Sequence, residues 1–289
     1  MGGVGVSERI NVGEEQESLA QGNIISRNVE GVYESLIDHI NHCLRKVEEF
    51  STKEVHRGVA MLDESVEVKA WLEQEIYYTI IVYHDMGKQT DAFQERVKHN
   101  TDKPVPHALH SAVSYLYTGL DNLVDGDPHY KQKVWWLYLL SYIIAQHHGT
   151  ISIGKLYGHE SSLIKYLEKE DFKQLGYESS DTLEFFIEFW QRVSTQREVT
   201  LREYQLLTDA LELLRGVDHA AAEEFDDEVY TSLLTGDDLV EIDDRVSKYD
   251  GLLNLLKDDY LMVIQLSQSI KNYKKALIQE KLKGKQVNA

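Results

Sequence analysis

The stretch WLEQEIYYTIIVYHDMGK, from Trp71 to Lys88, decides how the rest of the chain is read. Trp71 to Tyr83 is densely apolar and closes on His84, Asp85, Met86, Gly87 and Lys88. Read as a helix, it sets an imidazole and a carboxylate at the edge of a core. An unpaired carboxylate there costs several kcal/mol, and a bound divalent cation would offset that cost. The surrounding composition supports the helical reading. The chain has 289 residues with three Pro and 18 Gly, far below the usual Pro share of about 5%. So little punctuation favours long helices, and few segments alternate with period two. Hydrophobic residues at 42% can bury a real core, and disorder is excluded as the main state.

The same helical period extends outward in both directions. Val32, Leu36, Ile40 and Leu44 share one helical face, which predicts a helix beginning at Val32. Residues 98–106 read as a polar loop, and a helix is predicted from His107 to about Tyr117. Asp127-Pro128 reads as an N-cap with Pro at the first helical position. The helix that follows, through Trp135, Tyr138 and Tyr142, is expected to stop at Gly149. Further helices are expected at about 158–170, 179–196 and 199–224. Val263, Leu266, Ile270, Tyr273 and Leu277 repeat as a helix seam. The fold class is therefore all-α: a single helical bundle with a helical C-terminal extension.

Charge and cysteine usage narrow the function classes. Lys and Arg number 30 against 49 Asp and Glu, a net charge of −19. That balance argues against wrapping duplex DNA by bulk charge, although a local metal site can still meet nucleic acid. The single Cys43 excludes a disulfide scaffold and points to a reducing, cytoplasmic setting. No basic start with an apolar stretch marks a leader, and Val134 to Ala145 is too short to span a bilayer.

Several imidazoles and carboxylates end apolar helices, as a bundle needs in order to build a metal centre inside. His147-His148 closes a second apolar run, and adjacent helical residues point about 100° apart. Such a pair can face one site from two directions, or two neighbouring metals. His39 lies on the first amphipathic helix, and His107 and His110 start the helix between the two apolar runs. Asp218 ends the apolar run from Leu206 to Leu214. Each of these also has a bland reading: a core histidine, a side chain at a helix C-terminus, a turn cap.

The order His39, His84-Asp85, Asp218 resembles the H…HD…D signature of the HD phosphohydrolase superfamily. His84-Asp85-Met86-Gly87-Lys88 with Ala92-Phe93-Gln94 resembles the HD-x-GK…FQ segment of the CRISPR-associated HD nucleases. These form the nuclease half of the helicase-nuclease of type I CRISPR interference. His107 to Ala112, Ile144 to Gly149 and Leu214 to Ala221 are similar to that family's H-x-x-x-S-A, I-x-x-HHG and closing Asp elements. The resemblance runs from about Glu34 to Ala222 and implies a two-metal centre. His39, His84, Asp85 and Asp218 would hold one divalent metal. Asp85 would bridge to a second held by His107, His147 and His148, with His110 the alternative to His107. Asp85 and Lys88 are the implied catalytic residues, Lys88 contacting phosphate unless it is a surface lysine. Phe93 and Gln94 would pack and hold the loop.

The implied activity is hydrolysis of single-stranded DNA by metal-activated water during antiviral interference. Imidazole-rich ligation favours Mn, Fe, Co or Ni over Mg, and mild acid should lower activity. The implied partners are a separate CRISPR helicase subunit and an RNA-guided surveillance complex. Residues 1–28 would be a flexible segment, 29–225 the nuclease domain and 226–289 the extension. A phosphohydrolase acting on small nucleotides and a non-enzymatic docking module are the alternatives. Cys43 has no catalytic context in this reading.

Three other signals are set aside. Gly149 to Lys155 matches most of a phosphate-binding loop, but Leu156 stands where Ser or Thr should be, so no ATP binding is expected. Glu223 to Asp244 carries ten acidic and no basic residues, and Lys271 to Lys285 carries six Lys and one Glu. Both read most simply as solvated faces.

Overall fold

The described chain begins with a hairpin, β1 (Ile25–Val29) antiparallel to β2 (Val32–Ser35). Glu30 and Gly31 turn it with φ of 52° and 86°, the left-handed region that a tight hairpin requires and that Gly adopts without cost. The helix expected from Val32 therefore starts later. Val32 to Ser35 pair as a strand, and Ser35 Oγ then accepts the Asp38 N–H at 3.1 Å as the N-cap. The end of the segment read as flexible likewise lies in β1. In a computed structural model of the chain, residues 24–50, 52–101, 105, 107–124, 126–149, 197–249 and 260–287 are described. The helices expected at 158–170 and 179–196, and the loop at 150–155, lie outside those residues.

The chain divides into two units, Met1–Ala222 and Glu223–Ala289. In the first, α1 (Leu36–Glu49) buries Leu36, His39, Ile40 and Cys43 on one face. Next come α2 (Lys53–Ala60) and α3 (Val66–Gln74), the latter capped by Ser65 Oγ on the Val68 N–H. A π-helical turn, Glu75–Thr79, leads from α3 into α4 (Ile80–Tyr83). The extra residue of a π turn rotates everything downstream relative to a 3.6-residue count. A 3-10 turn (Met86–Gln89) and α5 (Asp91–His99) follow, then α6 (His107–Asp121) and α7 (Tyr130–Ala145).

Asp127 is a turn residue here, not the N-cap. Its Oδ1 accepts the His129 N–H at 2.7 Å, so the helix begins at Tyr130. The core is one apolar cluster that includes Leu72, Ile76, Ile80, Trp136, Leu140 and Leu214, each almost inaccessible. α8 (Leu201–Leu233) contributes Leu206, Leu207, Ala210, Leu214, Val217 and Ala221 to it, spaced three and four apart. Glu203 ties α8 to α7, accepting the Trp135 indole N–H at 2.9 Å while Arg197 pairs with the same carboxylate.

In the second unit, α9 (Gly236–Ser247) starts with a capping box between Thr235 and Asp238, and α10 spans Tyr260–Val287. Leu277, Ile278 and Leu282 of α10 are buried, as is Ile242 of α9. The acidic and basic stretches are partly matched: Lys271 lies 2.7 Å from Glu223, and Lys281 3.6 Å from Asp238. Such exposed pairs contribute about 0–1 kcal/mol each. No described helix is long and apolar enough to cross a membrane. Apart from the hairpin, the described architecture is helical throughout, and the fold is an all-α bundle.

Candidate metal centre

Two apolar helices, α4 and α7, end in histidines, and the same local device orients both. At a helix C-terminus the last carbonyls lack intrahelical partners. His84 Nδ1 lies 2.6 Å from Ile81 O, and His147 Nδ1 lies 2.7 Å from Ile144 O. Each ring thus donates Nδ1–H to a carbonyl of the last helical turn and turns Nε2 inward. Both Nε2 atoms are buried and have no hydrogen-bond partner of good geometry, and the same holds for Asp85 Oδ1, while Asp85 Oδ2 is met by the Lys88 ammonium. Buried polar atoms left in this state are costly unless something not yet present satisfies them. A divalent cation does so, and the donor set suits one.

The donors fall into two clusters that share Asp85. Around Asp85 Oδ2, His39 Nε2 lies at 3.3 Å and His84 Nε2 at 3.4 Å. Asp218 Oδ1 lies 3.2 Å from His39 Nε2 and 3.7 Å from His84 Nε2. Around Asp85 Oδ1, His107 Nε2 lies at 3.3 Å and His147 Nε2 at 3.7 Å. His148 Nε2 lies 3.0 Å from His107 Nε2. Ligands at about 2.0–2.2 Å from one cation stand roughly 3.0–3.6 Å apart, so these separations fit metal coordination. His39, Cys43, His84 and Asp218 form one group able to hold an ion; Asp85, His107, His147 and His148 form the other. His148 is exposed while the other three of its group are buried, so the second cluster meets solvent.

The electrostatics differ between the clusters. Burial alone would lower the pKa of His84, but Asp85 and Asp218 outweigh it and raise it to about 10. His39 is raised well above its ordinary value by Asp218 and Asp85 against the same burial. Burial pushes both carboxyls up, yet Lys88 and His84 hold Asp85 far below the usual range, and His39 and His84 do the same for Asp218. In the second cluster burial prevails. His107 is lowered, and His148, with His147 and His107 beside it, falls to about 3. Without metal, the first cluster therefore stores protons on its imidazoles, while His107 and His148 of the second are neutral.

The residues around the ligands hold the two halves together. A Cβ on Gly87 would fall 2.0 Å from His107 O, so only glycine lets the His-Asp turn touch α6. Ser111 staples this contact: its Oγ accepts the Gly87 N–H at 2.8 Å and donates to His107 O at 2.9 Å. Thr90 donates to Gly87 O at 3.0 Å and caps α5. Gln94 ties β1 to the turn after Asp85: Oε1 accepts the Ile25 N–H, and Nε2 donates to Ile25 O and Lys88 O. Phe93 stands edge-on to the His107 ring at 5.1 Å.

Every site residue singled out in the sequence is brought to this place except His110. His110 is fully buried beside the Gly87 turn, outside both donor groups, and burial lowers its pKa to about 4. Lys88 is not a free surface lysine. Its Nζ lies 2.6 Å from Asp85 Oδ2 and donates to Ser26 Oγ at 3.2 Å.

Two neighbours escaped the sequence reading. Cys43 was given no context, yet its Sγ lies 3.6 Å from His39 Nε2; the i,i+4 spacing on α1 was the available signal. Glu34 lies 3.3 Å from His39 Nδ1 and is buried. A helix begun at Val32 would have put Glu34 about 140° away from His39, so no spacing rule could find it.

Against known protein families, the model described as Cas3, HD domain, matches residues 26–221, more than half of the chain. A search of curated proteins finds no match.

Proposed function

Because the chain belongs to the Cas3 HD-domain family of CRISPR-associated, metal-dependent nucleases, we propose that it cuts single-stranded DNA during CRISPR interference with the help of two divalent cations. The observation that carries this reading is the division of Asp85. One of its oxygens faces His39 and His84, and the other faces His107 and His147. A carboxylate shared in this way suits a bridging ligand. His39, His84 and Asp218 would hold one cation with Asp85, and His107, His147 and His148 would hold the other. When bound, such cations lower the pKa of water at the site and neutralise charge on a phosphodiester. Seven donors of imidazole or carboxylate type, mostly imidazole, favour Mn, Fe, Co or Ni over Mg.

The chain's own residues supply orientation and charge. Ile81 O and Ile144 O keep the Nε2 atoms of His84 and His147 turned to the centre. Lys88 places an ammonium beside Asp85, where it can meet a phosphate oxygen once a cation has taken over the carboxylate. The exposed edge at His148 is the side from which a strand can enter. A CRISPR helicase and an RNA-guided surveillance complex would present that strand, in the cytoplasm.

The test uses the chain stripped of metal and resupplied with Mn, Co, Ni or Mg, on circular single-stranded DNA and on a panel of nucleotides. Cutting of the circle that needs a transition metal and is abolished by Asp85→Ala is the expected result. Full metal-dependent activity in Asp85→Ala refutes the centre. Nucleotide hydrolysis with the circle intact replaces the nuclease reading by a small-nucleotide phosphohydrolase.

A further inference from the structure

We infer that Glu34 is a positioning residue for the metal centre: its carboxylate fixes the ring of His39 so that Nε2 faces the cluster. This inference rests on the reading of that cluster as a metal site. Glu34 stands on β2, next to the start of α1, and its side chain is 1% exposed. Oε2 lies 3.3 Å from His39 Nδ1, and Oε1 lies 3.4 Å from His42 Nδ1. Neither oxygen has a hydrogen-bond partner of good geometry among the described residues, and neither do the two Nδ1 atoms that face them. A carboxylate taken out of water with nothing to compensate it is costly, and two imidazole N–H groups are the donors at hand.

A contrast among the histidines explains why this carboxylate is needed. His84 and His147 sit at helix ends and are oriented by the carbonyls of their own helices, Ile81 O and Ile144 O. His39 sits inside α1, where the preceding carbonyls are engaged in the helix. Its Nδ1 proton needs an acceptor from outside, and the hairpin delivers Glu34. With the proton on Nδ1, the electron pair stays on Nε2, which lies 3.2 Å from Asp218 and 3.3 Å from Asp85. An anion behind the ring also makes Nε2 a stronger donor. His42 takes the second oxygen and keeps the carboxylate from rotating.

The experiment titrates Co²⁺ into the metal-stripped full chain, following the visible absorption of the bound ion, for wild type, Glu34→Gln and Glu34→Asp. The expected result is an affinity about 10–100-fold weaker for Glu34→Gln at the tighter-perturbed of its sites, with part of it recovered in Glu34→Asp. Equal affinities in wild type and Glu34→Gln overturn the inference. A measurement on wild type alone guards against a variant that fails to fold. In the Zn²⁺-loaded chain with ¹⁵N-labelled histidine, Nδ1 of His39 should carry a strongly hydrogen-bonded proton. An unprotonated Nδ1 overturns the inference. Wild type that takes up no transition metal refutes the centre itself, whereas wild type that binds while Glu34→Gln binds equally refutes only the role of Glu34.

Discussion

Gly87→Ala is the substitution that the centre should tolerate least among those that touch no ligand. The added Cβ would stand 2.0 Å from His107 O, 2.8 Å from His107 C and 2.8 Å from His110 Cβ. A carbon and a carbonyl oxygen settle at roughly 3.2 Å or more, so the turn and α6 must separate by about 1 Å. Neither neighbour yields cheaply, because His107 O is backbone and His110 is fully buried. Overpacking of this kind costs about 1–3 kcal/mol. Separation also weakens the 2.8 Å bond from Gly87 N–H to Ser111 Oγ, worth about 1 kcal/mol. The sum is about 2–4 kcal/mol, or a fall in Tm of roughly 5–15 °C for a unit of this size.

Function should suffer more than stability. Asp85 rides on the turn and His107 on α6, and they now face each other at 3.3 Å. A 1 Å displacement between reacting groups costs about 100-fold in rate. Thermal unfolding of the metal-free chain and cleavage of circular single-stranded DNA read the two effects separately. A Gly87→Ala chain with wild-type Tm and wild-type cleavage would refute the reasoning.

Two further outcomes follow from the same contacts. Gln94→Ala removes the partners of Ile25 N, Ile25 O and Lys88 O; unfolding in urea should show a loss of about 2–4 kcal/mol, and unchanged stability would mean that these bonds are dispensable. Metal uptake should depend on pH at the first cluster. His84, at about 10, and His39, raised, are protonated at neutral pH without metal, so a cation must displace their protons. Affinity there should rise with pH by about tenfold per unit per displaced proton, up to the raised pKa, and fall in acid. His107 and His148 are lowered and already neutral, so they release no proton in that range. Calorimetric titration in buffers of different ionisation heat counts the protons; a count of zero would contradict the first-cluster assignment.

The helical class and most of the donors were legible in the chain because the relevant signals are local. An apolar run that ends in His84-Asp85, or in His147-His148, reports a helix and its terminus within a dozen or so residues. The physics that orients these rings is equally local, since a helix end always leaves free carbonyls behind it. The choice of His107 over His110 could not be made this way. Both lie on the first turn of α6, and only the contact between α6 and the Gly87 turn selects the one that faces Asp85. The start of α1 was misplaced because Val32 and Leu36 fit a helical period equally well as a strand followed by a helix. The pairing of Val29 with Val32 across Glu30-Gly31 breaks that tie.

By itself, then, the sequence singled out most of the side chains that the structure gathers around Asp85 and the kind of element on which they stand, because periodicity and helix termini are properties of neighbours along the chain. Only the tertiary structure decided that one Asp85 oxygen serves each cluster, that Lys88 is tied to Asp85, and that Cys43 and Glu34 stand around His39. These relations join residues from the hairpin, α1, α4, α6, α7 and α8, and they depend on how close the packed core lets those elements approach. Glu34 shows the reason most plainly. Only four residues lie between it and His39, yet a strand and a helix meet there, and it is the angle of that junction that turns the carboxylate onto the ring.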